Sequence, residues 1–332
     1  MGARGYFLLV AFTALLAFCV VMLGAYTRLS DAGLGCPDWP GCYGHLTVPE
    51  QRHEVDAANV AFPERAVEAP KAWKEMVHRY FAGTLGLSIL AIAVISIKRR
   101  RAHPSQPVAL PIFLLLLVLF QAALGMWTVT LLLKPAIVAA HLLGGLATFA
   151  LLVLLALRSW PGRLRHWETG SRWLLAGLAL LTVVAQVTLG GWTSTNYAAL
   201  ACPDFPTCHG VWWPKMDFGD AFRVWRGTGV NYEYGVLDTP ARTAVHVSHR
   251  IGALLTLLVV GWLSISLLRR RGRDGVGAGA FVGALLLTQI GLGISNVLFH
   301  LPLLVAVLHN AVAALLLVTV LYVNYRLWPR HS

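Results

Sequence analysis

Residues 36–44 of the chain read CPDWPGCYG, and residues 202–210 read CPDFPTCHG. Seven of these nine positions hold the same residue or exchange one aromatic residue for another, and both segments follow a long apolar stretch. Further features repeat at nearly the same offset of about 170 residues: His78-Arg79 with His249-Arg250, and His141 with His309. A single offset shared by several separate features indicates that the chain is a duplicated unit.

Most of the chain outside the repeated segments is apolar. It has 332 residues, of which 57% are hydrophobic and only 13% are charged, whereas a soluble domain carries about 25% charged residues. A helix needs about 20 apolar residues to cross the hydrocarbon core of a membrane. Eight stretches reach that length: 6–25, 73–97, 108–130, 136–157, 173–195, 242–268, 276–299 and 304–326.

The duplication divides these eight stretches into two sets of four. We therefore predict an all-α membrane protein in which eight transmembrane helices form two tandem pseudo-symmetric four-helix bundles. The N-terminal half comprises residues 1–165 with an external loop at 26–72, and the C-terminal half comprises residues 166–332 with an external loop at 196–241. Repeats that run in the same direction, related by an axis along the membrane normal, occur in other membrane proteins.

The net charge of +12 does not indicate a nucleic-acid partner, because the basic residues form short runs between apolar stretches. Such runs beside membrane spans stay in the cytoplasm, which places both termini in the cytoplasm and the two long loops outside. The runs and the basic residues of the termini are Lys98, Arg99, Arg100 and Arg101; Arg158, Arg163, Arg165 and Arg172; Arg269, Arg270, Arg271 and Arg273; Arg4; and Arg326 and Arg330.

The first 25 residues match a signal peptide only in part. Their apolar run is longer than the usual core of about 7–15 residues, and no small-residue cleavage site follows. We interpret the segment as a retained first span. Because the N-terminus also lacks the Arg-rich and Ser-rich character of a transit peptide, we expect a bacterial cytoplasmic membrane rather than a mitochondrial one.

Five of the twelve histidines lie inside predicted spans. Ionisable side chains are costly in lipid, face the bundle interior and mark functional sites, although a single histidine can also be a structural hydrogen-bonding group. Four of the five, one on each even-numbered span, lie at a similar depth of about 10 Å from the outer ends: His78, His141, His249 and His309. Two of them can face each other in each half, near the outer side.

Two facing imidazoles in a dry bundle suit heme better than a bare metal ion. Zinc takes four ligands and copper favours Met or Cys beside His, and no span carries such a set. Heme iron needs only axial ligands, of which His is a common one. Arg79 and Arg250 directly follow two of the histidines. Each could pair with a heme propionate or extend toward the membrane surface, and we favour the propionate.

Two further polar residues make the halves chemically unequal. Glu75 lies one turn before His78 on the same helix face. It is either close to a group bound there or a boundary acid that faces water. The matching position three residues before His249 holds His246, a neighbour or hydrogen-bond partner of the site. One half can therefore perform chemistry while the other holds a permanent cofactor.

Four of the five cysteines form two external pairs, Cys36 with Cys42 and Cys202 with Cys208. Cysteine pairs outside the cytoplasm usually form disulfides, and the Pro residues of both short loops favour closure. Neither pair is a C-x-x-C redox motif, so a structural role is the default while a redox role stays open. Cys19 lies inside the first span and is interpreted as a packing residue.

Several of these motifs together resemble the heme A synthase family. The matching segments are YTRLSDAGLGCPDWP at 26–40, EMVHR at 75–79, LGGW at 189–192, NY at 196–197, CPDFPTC at 202–208 and HR at 249–250. The resemblance covers essentially the whole chain. It implies eight spans in two four-helix halves and an oxidoreductase that acts on a CH group. The family oxidises the C8 methyl of heme O to a formyl group, giving heme A for terminal oxidases.

The resemblance also implies roles for the residues described above. The iron of a resident heme b would be ligated by His249 and His309, and the substrate heme O would be flanked by His78 and His141. Glu75 matches an acid that the family needs for activity. Cys36 and Cys42 match the family's external pair, whereas Cys202 and Cys208 form a second pair that not every member carries.

The same resemblance implies the partners of the chain. A heme O synthase is the expected donor of the substrate, and terminal oxidase assembly is the expected recipient of the product. Membrane lipid surrounds the protein, and the heme sites lie toward the outer face. The electron acceptor is not identified by the sequence, and a homo-oligomer is left open.

Two other functions are compatible with the same four histidines. One is a non-catalytic heme carrier, and the other is a diheme b electron-transfer protein that links quinol to external thiols. The first predicts that loss of Glu75 changes nothing, and the second predicts that loss of Cys36 abolishes turnover. A transporter is disfavoured because no acidic residue lies at mid-membrane, where coupling acids are expected.

Overall fold

The computed structural model describes residues 2–104, 106–162, 167, 172–227, 229–270 and 272–329. These residues form helices and connecting loops, with isolated β-bridges instead of strands. Ten helices are present: α1 Ala3–Leu29, α2 Arg52–Ala61, α3 Ala69–Arg100, α4 Ala109–Thr130, α5 Pro135–Ser159, α6 Arg172–Thr195, α7 Phe218–Ala221, α8 Thr239–Leu268, α9 Arg273–Leu298 and α10 Leu303–Leu327.

Eight of these helices are long and apolar enough to cross a membrane. They coincide with the eight predicted stretches, so the prediction of an all-helical, multi-pass membrane protein is confirmed. The side of the membrane that holds the termini and the symmetry between the halves remain predictions. The boundary at 165/166 and the basic residues Arg163, Arg165, Arg271 and Arg330 lie outside the described residues.

The two short helices, α2 and α7, lie in the long loops at 26–72 and 196–241 and were not predicted. At the start of α2 the carboxylate of Glu54 accepts hydrogen bonds from the backbone N–H groups of Glu50 and Gln51, at 3.3 and 3.2 Å. At the start of α7 the carboxylate of Asp217 accepts one from the N–H of Asp220 at 3.0 Å. Helices this short are marginal in water without tertiary packing, so hydropathy does not reveal them.

The first compact unit comprises Met1–Ser159 and Val224–Glu233. Its four long helices form a closed ring, in which α1 packs against α3 and α5, and α4 packs against the same two helices. A buried hydrogen bond of 2.7 Å between the hydroxyl groups of Tyr6 and Ser96 joins α1 to α3 near their shared end. This arrangement places the N-terminal turns of α3 and α5 at the same end of the unit.

The segment Val224–Glu233 belongs to the first unit, although it lies within the 196–241 loop. The N–H of Tyr232 donates to the carbonyl of Leu132 at 3.0 Å. The Lys134 ammonium donates to the carbonyl of Gly227 at 2.7 Å. Arg65 and Glu233 form an ion pair at 2.8 Å. The segment is therefore anchored on the α4–α5 turn, a contact that sequence reasoning did not foresee.

The second compact unit comprises Trp160–Arg223 and Tyr234–Ser332. Its four long helices form a ring in the same order as in the first unit: α8 packs against α6 and α9, and α10 packs against the same two helices. At its basic end, the side-chain amide of Asn324 donates to the carbonyl of Ala176 at 2.8 Å. The buried guanidinium of Arg326 lies 4.5 Å from the ring centre of Trp167.

Candidate functional site

The four histidines lie within the first eleven residues of their helices: His78 on α3, His141 on α5, His249 on α8 and His309 on α10. Each is half-buried. A histidine on a lipid-facing surface would be costly. We therefore expect the exposed part of each imidazole to face a ligand bound inside the bundle. Each unit contains two of them.

In the first unit the imidazoles of His78 and His141 face each other. Their ring centres are 6.5 Å apart and the ring planes are inclined at 88°. Two metal–nitrogen bonds of about 2 Å plus two half-rings of about 1 Å span about 6 Å, so a single metal atom fits between the rings. The imidazoles approach the backbone carbonyl groups of Val20 and Gln121, but neither buried Nδ1 atom completes a hydrogen bond.

In the second unit the imidazoles are held by side-chain amides. The Gln186 amide nitrogen lies 3.1 Å from Nδ1 of His249 and donates to the carbonyl of His249 at 3.0 Å. The Gln289 amide nitrogen lies 3.2 Å from Nε2 of His309. These two imidazoles are close enough to interact electrostatically. Sequence reasoning missed both glutamines, although a polar residue inside a span is itself a functional signal.

In the part of the chain that the structure describes, neither unit offers the ligands of a bare metal ion. Among the described residues, no group of three or more His, Cys, Asp or Glu side chains converges on one point. A pair of imidazoles at this separation suits an ion whose other ligands come from elsewhere, as the porphyrin nitrogens of heme do. The His78–His141 pair therefore fits the predicted heme ligation, and ligation by His249 and His309 remains a prediction.

The glycines that follow the histidines serve different purposes. A methyl group added to Gly83 or Gly86 would have no atom within 4 Å. A methyl group on Gly144 would overlap the amide of Gln121, and one on Gly252 would overlap that of Gln186. Gly144 and Gly252 therefore make room for a glutamine side chain of the neighbouring helix, and not directly for a flat ligand.

Glu75 is buried, with 5% of its surface exposed, so it is not a boundary acid that faces water. Its Oε2 accepts a hydrogen bond of 2.9 Å from the backbone N–H of Cys36. Its Oε1 pairs with the guanidinium of Arg79. The carboxylate therefore links the helix that carries His78 to the first disulfide loop.

Arg79 and Arg250 each bind backbone carbonyl groups of the external loop in their own unit. Arg79 donates to the carbonyls of Asp38, Pro40 and Gly41, the first two at 3.0 and 3.3 Å. Arg250 donates to those of Thr207, Cys202 and Asp204, at 2.8, 3.2 and 2.7 Å. Their pairing with propionates stays a prediction, and their contacts with the loops were not anticipated.

His246 occupies the same place in the second unit as Glu75 in the first. It is 4% exposed, and its Nδ1 accepts a hydrogen bond of 3.2 Å from the backbone N–H of Cys202. An imidazole that accepts at Nδ1 carries its proton on Nε2 when neutral. The two units therefore differ chemically at one equivalent position, which accepts the N–H of the first loop cysteine. Glu75 supplies a carboxylate there in the first unit, and His246 supplies an imidazole in the second.

Both predicted disulfides are formed, between Cys36 and Cys42 and between Cys202 and Cys208. Each loop is organised by an aspartate near its start. Asp204 accepts hydrogen bonds from the Thr207 hydroxyl at 2.5 Å and from the N–H groups of His209 and Gly210 at 2.6 and 3.0 Å.

The Thr207 hydroxyl and the backbone N–H groups together lower the pKa of Asp204 to about 2. The carboxylate therefore remains ionised at any physiological pH.

In the first loop Asp38 accepts hydrogen bonds from the N–H groups of Tyr43 and Gly44 at 2.6 and 2.7 Å.

We expect Arg250→Lys to loosen the second disulfide loop, because one ammonium group cannot span the three carbonyls that the planar guanidinium reaches. Hydrogen–deuterium exchange of the backbone amides at 203–210 should become faster, while exchange in the first loop stays unchanged. Arg242→Lys, a second arginine near the start of α8, is the control. Equal exchange in both variants would contradict an anchoring role for Arg250.

Comparison with known proteins finds relatives along nearly the whole chain. Residues 7–321 match the family COX15-CtaA, described as cytochrome oxidase assembly protein. The heme A synthase of Shewanella oneidensis is 48% identical over 326 residues, which cover 98% of this chain and 97% of that protein. The heme A synthases of Caulobacter vibrioides and Halalkalibacterium halodurans are 30% and 28% identical, each over 92% of this chain and over 90% and 91% of their own lengths.

Proposed function

Because the chain belongs to the COX15-CtaA family of cytochrome oxidase assembly proteins, we propose that it makes heme A by oxidising the C8 methyl group of heme O to a formyl group. The observation that carries this proposal is the facing pair of half-buried imidazoles of His78 and His141, with the buried carboxylate of Glu75 on the same helix as His78, where the matching position of the second unit holds His246. A carrier or an electron-transfer protein needs the imidazoles but does not need a carboxylate beside them for proton transfer.

The two pairs of histidines then have different tasks. His78 and His141 flank heme O, whose iron fits between rings that are 6.5 Å apart. His249 and His309 hold heme b, and the amide of Gln186 contacts Nδ1 of His249, which leaves Nε2 of that imidazole for the iron. When bound there, heme b would supply a redox centre through which electrons can leave the substrate site.

Glu75 is the residue of the first unit that is suited to proton transfer. It lies one helical turn before His78, and residues three apart share a helix face, so its carboxylate is close to a ligand of His78. With a water molecule as the source of the formyl oxygen, oxidation of the methyl group releases protons and electrons. We assign uptake of the protons to this carboxylate, while the electrons pass to an external acceptor. Arg79 and the N–H of Cys36 orient it, and general bases need such positioning to be effective.

The membrane arrangement follows from the charges at the helix ends. Lys98, Arg99 and Arg100 form the last turn of α3, and basic residues beside spans stay in the cytoplasm. The end of the first unit opposite to this basic turn carries its disulfide loop and histidines, and we propose that this end faces the outside of a bacterial cytoplasmic membrane. The same orientation is proposed for the disulfide loop and the histidines of the second unit, from the basic residues Arg269, Arg270 and Arg273. A heme O synthase would deliver the substrate, and terminal oxidase assembly would receive the product.

The decisive experiment is co-expression with a heme O synthase, purification in detergent, and separation of the extracted pigments by chromatography with mass detection. We expect heme A, or its hydroxylated precursor, together with heme b. If heme b alone is recovered while heme O accumulates unchanged in the membranes, the protein is a diheme carrier or electron-transfer protein instead. Recovery of no heme would contradict the assignment of all four histidines.

A further inference from the structure

Each of the four histidines lies against a glycine of the neighbouring odd-numbered span in its unit. A methyl group added to Gly24 would lie 3.0 Å from Cε1 of His78. The corresponding distances are 3.5 Å from Gly125 to His141, 3.1 Å from Gly190 to His249 and 3.2 Å from Gly293 to His309. Three of these are shorter than ordinary van der Waals contact, so the imidazole edge lies directly on the glycine backbone.

These glycines end a short motif that recurs in four helices. Residues 121–125 read QAALG, 186–190 read QVTLG, 289–293 read QIGLG, and 20–24 read VVMLG. Residues four apart lie on the same helix face, so the first and last positions of the motif both face the histidine. The imidazoles of His78, His141 and His309 approach the backbone carbonyl of that first position, at residues 20, 121 and 289.

The side chain at the first position distinguishes the two units. In the second unit both Gln186 and Gln289 place an amide nitrogen within 3.2 Å of an imidazole nitrogen. In the first unit one motif begins with Val20, and the buried Nε2 of Gln121 has no hydrogen-bond partner. Amide contacts therefore hold both imidazoles of one pair and neither imidazole of the other.

General helix packing does not account for this pattern. Glycine is common in membrane helices because it lets backbones approach closely. However, Gly177 on α6 and Gly291 on α9 have no atom within 4 Å of an added methyl group, although they lie on the same helices as Gly190 and Gly293. Close contact with an imidazole is thus a property of the motif glycine, rather than of every glycine in these spans.

We propose that Gly190 with Gln186, and Gly293, are positioning residues that set the orientation of the heme b ligands His249 and His309. This inference rests on the proposed function for the identity of the two hemes. The contact between glycine and imidazole does not depend on that function.

The test compares Gly293→Ala with Gly291→Ala, and Gly190→Ala with Gly177→Ala, in the full-length protein purified with its heme b. In Gly293→Ala and Gly190→Ala the imidazole must move by a few tenths of an ångström. We therefore expect a shifted low-spin electron paramagnetic resonance signal, a changed heme b reduction potential and a several-fold loss of heme b on dilution. Gly177→Ala and Gly291→Ala should match the wild type in all three measurements.

A conservative glutamine variant extends the test to proteins in which an added methyl group prevents folding. Gln186→Met keeps the side-chain length but removes the amide beside Nδ1 of His249, so it should change the potential and the retention of heme b. If folded variants of both glycines and of Gln186 keep the wild-type signal and potential, the proposal is wrong. Shifted signals in these variants, together with no heme A formation by the wild-type protein, would preserve the positioning role and contradict only the proposed function.

Discussion

Glu75→Gln is expected to reduce heme A formation by about 10²- to 10⁴-fold, the range that a general acid or base contributes, while the protein keeps its heme b. The amide oxygen of glutamine can still accept the hydrogen bond that Cys36 N–H donates to the carboxylate at 2.9 Å. The loop therefore keeps its anchor, but the amide cannot take up a proton. The ratio of heme A to heme O in extracted pigments, at equal heme b content, measures the effect.

The matched control is His246→Gln, which changes the same structural position in the second unit, where Cys202 N–H is bound. It should leave the pigment ratio within a few-fold of the wild type. Glu75→Ala is less informative, because an unpaired buried donor costs about 1–3 kcal/mol and would loosen the loop as well. Equal losses in the two glutamine variants would assign both residues to loop anchoring alone, and unchanged conversion in Glu75→Gln would contradict a chemical role.

His309→Ala is expected to lose the resident heme b and, with it, the conversion of heme O. The variant removes one of the two imidazoles that ligate the iron in the second unit, and the neighbouring amide of Gln289 is a weak substitute for an imidazole ligand. Heme b per polypeptide in the purified protein, measured from the spectrum of the pyridine complex, should fall to background. The cysteine loops, which do not contact His309, should keep their disulfides.

His78→Ala provides the comparison that separates the two hemes. It should retain heme b at the wild-type level while heme O and heme A disappear from the purified protein. His53→Ala, in the exposed part of α2, controls for the loss of a histidine outside the spans and should retain all pigments. Loss of heme b from His78→Ala together with its retention in His309→Ala would exchange the roles that we assign to the two units.

The candidate site illustrates how much can be predicted from sequence and where prediction stops. The four ligand histidines, Glu75 and both cysteine pairs are visible as rare residue types at repeated positions. Their partners are not. The contacts of Glu75 with Cys36 and of His246 with Cys202 join residues 39 and 44 positions apart, and no spacing rule specifies which buried side chain will accept a loop N–H.

The repeated glutamine–glycine motif was present in the sequence but not recognised. Glycine in a membrane helix has several uses, so the sequence alone does not assign a role to the motif. The role follows from the contacts of Gly190 with His249 and of Gly293 with His309 in the structure. The anchoring of 224–233 on the α4–α5 turn is a further case. Hydrogen bonds from Tyr232 and Lys134 determine it, and neither residue belongs to a recognisable motif.

The sequence by itself therefore determined the eight spans, the duplication and the residue types available for heme chemistry. Hydropathy and repetition are local properties of the chain, and the membrane imposes a length that each span must meet. Only the tertiary structure decided which polar groups meet: the carboxylate or imidazole on each cysteine loop, the arginines on loop carbonyls, and the glycine beneath each histidine. Those contacts depend on how helices distant in sequence pack, because a buried polar group must find its partner wherever the fold supplies one.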